Sequence, residues 1–493
     1  VYLVLATWLI RRAGLRVLGE SFAVLALGFS TLAVPLALSA RTTGCIFALE
    51  GAALVWLGLR QQRRLPRWIG LALQLLAAGA FVLAFTWHPS DTLPVANGHF
   101  AGAMLICLAG LACAWLYHRA EASNALILPL YFWALAWWFG AWFFEIDRHV
   151  PGGREIAAVL VLFAATAWLG AEGARFWQRQ ALAMTTGVLF WLILPLSLLM
   201  AMDGKVFAGW NLIAFAVFAA TGWRSLACLR NNASAAQSTA HLGWFWAWTL
   251  ASALALSEAG SDADLGGGWQ LAMAALPLLG LFALALFRSG WIAPPLTAAF
   301  PRYRGMLLGS LALVLGGALA SSVLLSGDSE PLPYLPILNP LELFQLAALA
   351  LFAAALRDPD VASGIRAHRP SLLAIAGFVL ITSATLRAVH HLGDIPWNDI
   401  LLRASLSQTS LAVVWSILGV AGWVIGSRRG NRPLWLASAL LMAVVLLKLL
   451  LIDRQHLGNL FGIASFIAYG LLCTLVGYLA PAPPKTAERE VAA

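Results

Sequence analysis

The sequence predicts an all-α, polytopic membrane protein of about seventeen spans, and three observations carry that prediction. Of its 493 residues, 61% are hydrophobic and 11% charged, where a soluble domain carries roughly 25% charge. Apolar runs of about 18 to 22 residues recur, each long enough to cross a hydrocarbon core of roughly 30 Å at 1.5 Å per residue. Basic and acidic side chains then sort onto alternate loops. Lipid offers no partner to open backbone, so spanning segments are helices or closed barrels. Continuous runs of this length lack the ten-residue alternation of a barrel strand and read as helices.

The runs fall at 1–10 (incomplete), 19–38, 42–59, 68–87, 99–117, 123–144, 155–172, 181–202, 206–223, 241–257, 268–287, 305–325, 341–356, 370–390, 406–426, 433–451 and 457–479. One set of alternate loops, from Arg11 and Arg12 through Arg60–Arg67 to Lys485 and Arg489, holds 23 of the 31 basic residues. The opposite set holds Arg41, Arg148, Arg154, Lys205, Arg387, Arg403 and Arg454, with most of the loop acids, among them Asp91, Glu145, Asp147, Asp203, Glu258, Asp262, Asp328, Glu330, Asp394 and Asp399. A missed span in mid-chain would scramble this pattern. The basic side, with the C-terminus, is therefore expected to be cytoplasmic and the acidic side outer.

The domain expectation is a single transmembrane domain over 1–480, followed by a disordered cytoplasmic tail at 481–493, rich in Pro, Lys and Glu. The chain starts at Val1, inside an apolar run and without a signal-peptide pattern, which suggests that a native N-terminal part precedes it. No loop is long enough for a soluble domain. Tryptophans near run ends (Trp87, Trp142, Trp210, Trp291) suggest interface belts. Small residues, as at Gly51-Ala52-Ala53 and Gly316-Gly317-Ala318, suit close helix packing. No internal repeat stands out.

The net charge of +9 is spread thinly and forms no stripe or tail, which argues against a nucleic-acid partner. Cys45, Cys107, Cys113, Cys228 and Cys473 form no Cys-x-x-Cys and sit with no histidine at metal-ligand spacing. They read as small buried hydrophobes. No phosphate loop, dinucleotide fingerprint, nucleophile elbow or zincin motif occurs. Neither a cofactor nor a metal is expected. The expected partners are membrane lipids, with a lipid-linked or anionic substrate and envelope proteins as further candidates.

Four places are candidates for function. The first is Arg387-Ala-Val-His390-His391-Leu-Gly-Asp394-Ile-Pro-Trp397, at the outer end of the fourteenth span. Arg387, His390 and His391 stand at i, i+3 and i+4 and share a helix face. Three cationic groups there suit a phosphate or carboxylate. The plainer reading is that they complement the dipole at the end of their own helix. The second is Asn339-Pro340-Leu341-Glu342, where Asn339 is an N-cap, Pro340 takes N1 and Glu342 takes N3 of a capping box. It opens on the same side, and the two stretches would wall one outer pocket. The third is Glu50, near the middle of a span, where an ionisable group is by default a functional candidate; an interhelical hydrogen bond is the structural alternative. The fourth is Lys448 with Asp453, read as snorkelling outward. His88 and His99 flank an outer loop and read as loop residues.

Several of these residues carry a resemblance. Ala48-Leu-Glu-Gly51, Trp56–Gln61, Tyr334-Leu-Pro-Ile-Leu-Asn-Pro-Leu-Glu342, Arg387–His391 with Pro396-Trp397, Ser407-Gln408, Trp415, Arg432-Pro-Leu-Trp435, Lys448–Asp453, Ser465-Phe466 and Gly477–Pro481 together resemble the bacterial predicted membrane proteins grouped as domain of unknown function 2339. That likeness implies the bacterial inner membrane and further N-terminal spans, and it supplies no activity. An arginine usual in the family shortly before the Ser-Phe pair is replaced here by Gly462-Ile463-Ala464. Three functions remain open. The chain would transport or flip an envelope lipid or anionic solute, act as a transferase on a lipid-linked substrate at the outer face, or serve as a non-catalytic scaffold in an envelope complex.

Overall fold

The computed structural model describes residues 40–84, 93–120, 124–177, 179–232, 234–359 and 363–451, with scattered positions outside these ranges. Fourteen long helices occur among the described residues, and no strand. They are α1 (Ala40–Arg60), α2 (Arg64–Leu83), α3 (Gly98–Arg119), α4 (Asn124–His149), α5 (Glu155–Trp177), α6 (Gln180–Asp203), α7 (Gly209–Cys228), α8 (Ser234–Asp262), α9 (Gly267–Phe287), α10 (Phe300–Ser322), α11 (Pro340–Ala355), α12 (Arg369–Leu392), α13 (Ser405–Arg428) and α14 (Arg432–Leu451).

Each helix covers one of the expected runs from 42–59 to 433–451. Twelve are long and apolar enough to cross a membrane; α11 is shorter, and α8 is not among the twelve. The count of seventeen also depends on runs 1–10, 19–38 and 457–479. These lie largely outside the described residues, as do Trp87, His88, Asp453, Ser465, Phe466 and the tail.

The chain forms two compact units. Unit 1 holds residues 1–170 and 209–221, and unit 2 holds 171–208 and 222–493. The helices α5 and α7 begin in the first and end in the second.

In unit 1, α1 packs against α2 and α3, and α3 against α4. The α1–α2 contact is a backbone contact. A Cβ on Gly51 would stand 2.7 Å from Gly70 O, and one on Gly70 would stand 2.5 Å from Gly51 O. Close approach of this kind stands in for the hydrophobic drive that is missing between helices in lipid. Gln74 locks the pair by donating to Ala48 O at 2.7 Å. Gly316 and Gly317 make no such approach, since their Cβ positions meet at most a ring atom of Phe352.

His99 is not a loop residue. It is buried near the start of α3, in edge and tilted contact with Phe81 and Phe144. There it lines an aromatic cavity of about 390 Å³ with Phe100, Trp133 and Trp137. Trp142 is half-buried and edge-on to Phe100. Trp210 and Trp291 are exposed, and each lies under an arginine.

In unit 2, α8 packs on α6 and α9, while α9, α10, α11 and α12 form a connected group that continues through α13 to α14. Consecutive helices of that group alternate in direction. At one end Arg304, on α10, donates to Ala285 O and Leu286 O of α9 and pairs with Asp358, just beyond α11. At the other end the loop 323–339 ties the start of α9 to the ends of α10 and α12. Gly268 N donates to Asp328 O, Gly266 N to Glu330 O, and Trp269 Nε1 to Ser329 O. The first end carries the basic loops and the second the acidic ones, as the charge pattern predicts.

Candidate functional site

The acidic end of α10–α12 holds the most enclosed ionisable group of the described chain. Arg387 has 0% exposure and is the largest fully buried side chain. It projects from the last turns of α12, as its sequence position predicts, yet it serves another helix. Its Nη2 donates to Ser322 O at 2.7 Å and its Nε to Leu325 O at 3.0 Å. One turn earlier, Ser383 donates to Val323 O at 2.8 Å. These acceptors belong to the last residue of α10 and the turn just beyond it, where the helix leaves carbonyls that its own N–H groups only partly satisfy.

The third donor, Nη1, reaches Gln345 Oε1 at 3.2 Å and lies 3.5 Å from Glu342 Oε1. Gln345 in turn donates to Ser322 Oγ at 2.8 Å. Gly327 makes this geometry possible. Its φ is +76°, and a Cβ there would stand 2.8 Å from Arg387 Cδ.

Two expectations are corrected by this arrangement. Arg387 neither complements the dipole of its own helix nor faces an open pocket; its donors are spent on α10 and α11. A long basic side chain was placed correctly, but the carbonyls it would meet lie sixty-odd residues away in sequence. The capping box is half formed. Asn339 Oδ1 accepts Glu342 N at 3.0 Å as expected. The Glu342 carboxylate bypasses the Asn339 N–H. It accepts Ile337 N, the Tyr334 hydroxyl at 3.0 Å and the Arg387 charge. Burial, then the negative charge of Glu342, push the Tyr334 hydroxyl well above its usual range, so it stays a donor.

Accessible chemistry sits in front of this frame. His391 Nε2 lies 3.0 Å from Ser326 O and 3.9 Å from Asp328 Oδ1. His390 Nδ1 lies 2.6 Å from Ile395 O. A backbone carbonyl only accepts, so each of these nitrogens carries a proton. Aromatic contacts hold both rings. Tyr334 stacks on His391 at 4.2 Å and 17°, and Trp397 meets His390 edge-on at 5.7 Å. Trp397 is itself held by Leu324 O at 3.0 Å. Donor atoms of Asp328, His390 and His391 lie within 4.8 Å of one another.

The family described as Predicted membrane protein (DUF2339) matches residues 1–483. The chain belongs to that family. No curated protein and no solved structure matches it.

In this DUF2339 protein the predicted site residues divide. Arg387, His390, His391, Trp397, Asn339 and Glu342 come together. Asp394 does not join them: it is an exposed turn residue with φ +50° just beyond α12. Lys448 does not snorkel outward. It is buried, and its Nζ donates to Gln408 O of α13 at 2.9 Å. Glu50 belongs to unit 1, half-buried at the middle of α1, and no hydrogen bond or ion pair to it is made among the described residues.

Sequence reasoning passed over Ser322, Gln345, Ser383 and Asp328. Gln345 was findable, as the one polar residue of α11 beyond its capping turn. The two serines and Asp328 carry no such signal, because their roles depend on how α10 ends.

Proposed function

We propose that this protein is an enzyme of the bacterial inner membrane that works at its outer face, transferring or releasing a polar group on a lipid-linked substrate. One observation carries the reading. Two partly buried imidazoles and a carboxylate converge at the acidic end of α10–α12, in front of a buried Arg387–Glu342–Gln345 frame that holds their positions. Rigid support behind accessible, chemically capable side chains is what a reacting site requires, and a turn that needed only closing would not require it. Passage through the protein is less favoured here. The polar groups of this end stop at Thr382 and Gln345, and below them α11 continues as Leu346–Ala355 and α12 is apolar back to Ser371.

The test is chemical. The protein is reconstituted in vesicles of bacterial envelope lipid, and the lipids are followed by mass spectrometry. The expected result is a time-dependent new lipid species that is lost in the His390→Ala/His391→Ala double variant. Lipid profiles that are identical with and without the wild-type protein would overturn the reading.

A second reading, transport or flipping, rests on Glu50 alone. An ionisable group at mid-span with no described partner suits a proton or ion step. Movement of a labelled lipid between leaflets that Glu50→Gln abolishes would favour it.

A further inference from the structure

We infer that Asp328, His390 and His391 form a binding site for a divalent transition-metal ion of the zinc class. The inference deepens the proposed function by naming what the accessible cluster holds, and it rests on that reading only for its purpose. Two imidazoles and one carboxylate suit first-row divalent ions, whereas an all-oxygen set would suit magnesium or calcium. One donor atom from each residue already lies within 4.8 Å of the other two. Small side-chain rotations would close that to a coordination sphere with ligand bonds of roughly 2.0–2.2 Å.

The surroundings point the same way. A metal-binding histidine typically donates its other ring N–H to a carbonyl or carboxylate, which sets tautomer and ring direction. His390 does so through Nδ1 to Ile395 O, leaving Nε2 with its lone pair. His391 directs Nε2 toward Asp328 Oδ1 and Ser326 O. There the ion would take the place of the proton now shared with the carbonyl, and the ring would carry that proton on Nδ1 instead, as the other neutral tautomer. Adjacent histidines project about 100° apart around a continuous helix. Here the helix is ending at Gly393, and the two ring centroids stand 4.5 Å apart. Tyr334 and Trp397 then hold the two ring planes.

Charge supplies an independent argument. Arg387 is spent on α10 and compensated by Glu342, so it offers no charge to the accessible cluster, whose own fixed charge is the Asp328 carboxylate. Unaided, it repels an anionic headgroup. A divalent ion reverses that sign at the place where a phosphate would arrive.

The experiment uses the full chain in detergent, stripped with chelator and then titrated with Co2+ and Zn2+. We expect saturable uptake of one ion per chain and a visible Co2+ absorption band that Zn2+ displaces. Asp328→Asn and His390→Gln should each lose the saturable phase while eluting as monodisperse protein. If a variant fails to fold, the wild-type titration and its Co2+ band still decide. No saturable uptake by wild type, or uptake undiminished in a folded variant, would overturn the site. Metal uptake without any lipid transformation would overturn the proposed function and leave the site standing. His390-dependent transformation in chelator-stripped protein would do the reverse.

Discussion

The loop before α3 and the loop before α11 share one frame and differ in charge. The first reads Leu93-Pro94-Val95-Ala96-Asn97 and the second Leu335-Pro336-Ile337-Leu338-Asn339. In both, the residue after the proline has positive φ, 61° at Val95 and 73° at Ile337. In both, the asparagine caps the helix that follows. In both, the N–H of the positive-φ residue goes to a buried glutamate. Forty-eight residues separate Asn97 from Glu145, and the same step from Asn339 reaches Arg387. Four residues further on stand His149 and His391.

The difference lies at that position. In unit 1 the helix brings Glu145, which accepts Val95 N at 2.8 Å and Asn97 Nδ2 at 2.6 Å and lies 3.2 Å from His149 Nδ1. Carboxylate and histidine close on each other. In unit 2 the helix brings Arg387, and the carboxylate stands instead on α11 as Glu342. Arg387 reaches the α10 carbonyls, and His391 turns to Ser326 and Asp328. A third loop keeps the simpler form, with Val206 N donating to Glu258 Oε2 of α8 at 3.1 Å. Exchanging a glutamate for an arginine thus releases the following histidine from the carboxylate of the lock, at nearly the same burial in both loops (17% exposed at His149, 19% at His391).

The largest expected effect breaks that lock. Arg387→Ala removes three donors and leaves Glu342 buried beside unpaired carbonyls. Loss of one member of a buried pair costs about 3–5 kcal/mol, so thermal unfolding in detergent should show severe destabilisation or no folded protein. Wild-type stability in this variant would mean that Arg387 is not the frame.

Glu342→Gln and Glu145→Gln separate the two copies next. The first leaves a buried guanidinium without its counter-ion and should cost about 3 kcal/mol. The second loses only the ionic part of bonds to neutral donors, about 1–2 kcal/mol. The Arg387→Met/Glu342→Gln pair should recover part of the sum of its single changes. Strict additivity in that cycle would show that the two charges do not interact.

Glycines give a smaller contrast. Gly327→Ala meets both a left-handed backbone and Arg387 Cδ at 2.8 Å, so a loss of about 2–3 kcal/mol is expected. Gly153→Ala, at φ +83° with open space around its Cβ position, should cost only about 1 kcal/mol. Equal losses on thermal unfolding would remove the steric argument at Gly327.

The helices were legible in the sequence because lipid makes hydrophobic length almost the only requirement of a span. Within α9–α14 the alternation of ends was legible from arginine placement. Asn339 was legible as a cap because capping is local. Arg387 was found but misassigned, because the carbonyls it serves belong to a helix end that no periodicity reveals. Glu342 was assigned to a local box and is shared instead by a tyrosine, a backbone N–H and an arginine. The recurrence of the two loops is hidden in the sequence because apolar helices look alike, and its signature is a five-residue frame plus a geometric exchange of charge.

The smallest predicted effect tests whether the two frames are energetically the same device. Both asparagines accept a bond from the backbone of their helix, at 2.8 Å for Asn97 and 3.0 Å for Asn339. Removing either cap should therefore cost about 1 kcal/mol. Asn97 also donates Nδ2 to Glu145 and to Leu93 O, whereas the Asn339 Nδ2 is buried and makes no hydrogen bond among the described residues. Asn97→Ala should thus lose a further charge-assisted bond, about 1.5–3 kcal/mol. Asn339→Ala removes a buried donor that was already unsatisfied, which offsets part of its capping loss. Urea or thermal titration of the two single variants reads the difference directly. A larger loss at Asn339 than at Asn97 would mean that the second loop holds its asparagine for something other than the cap.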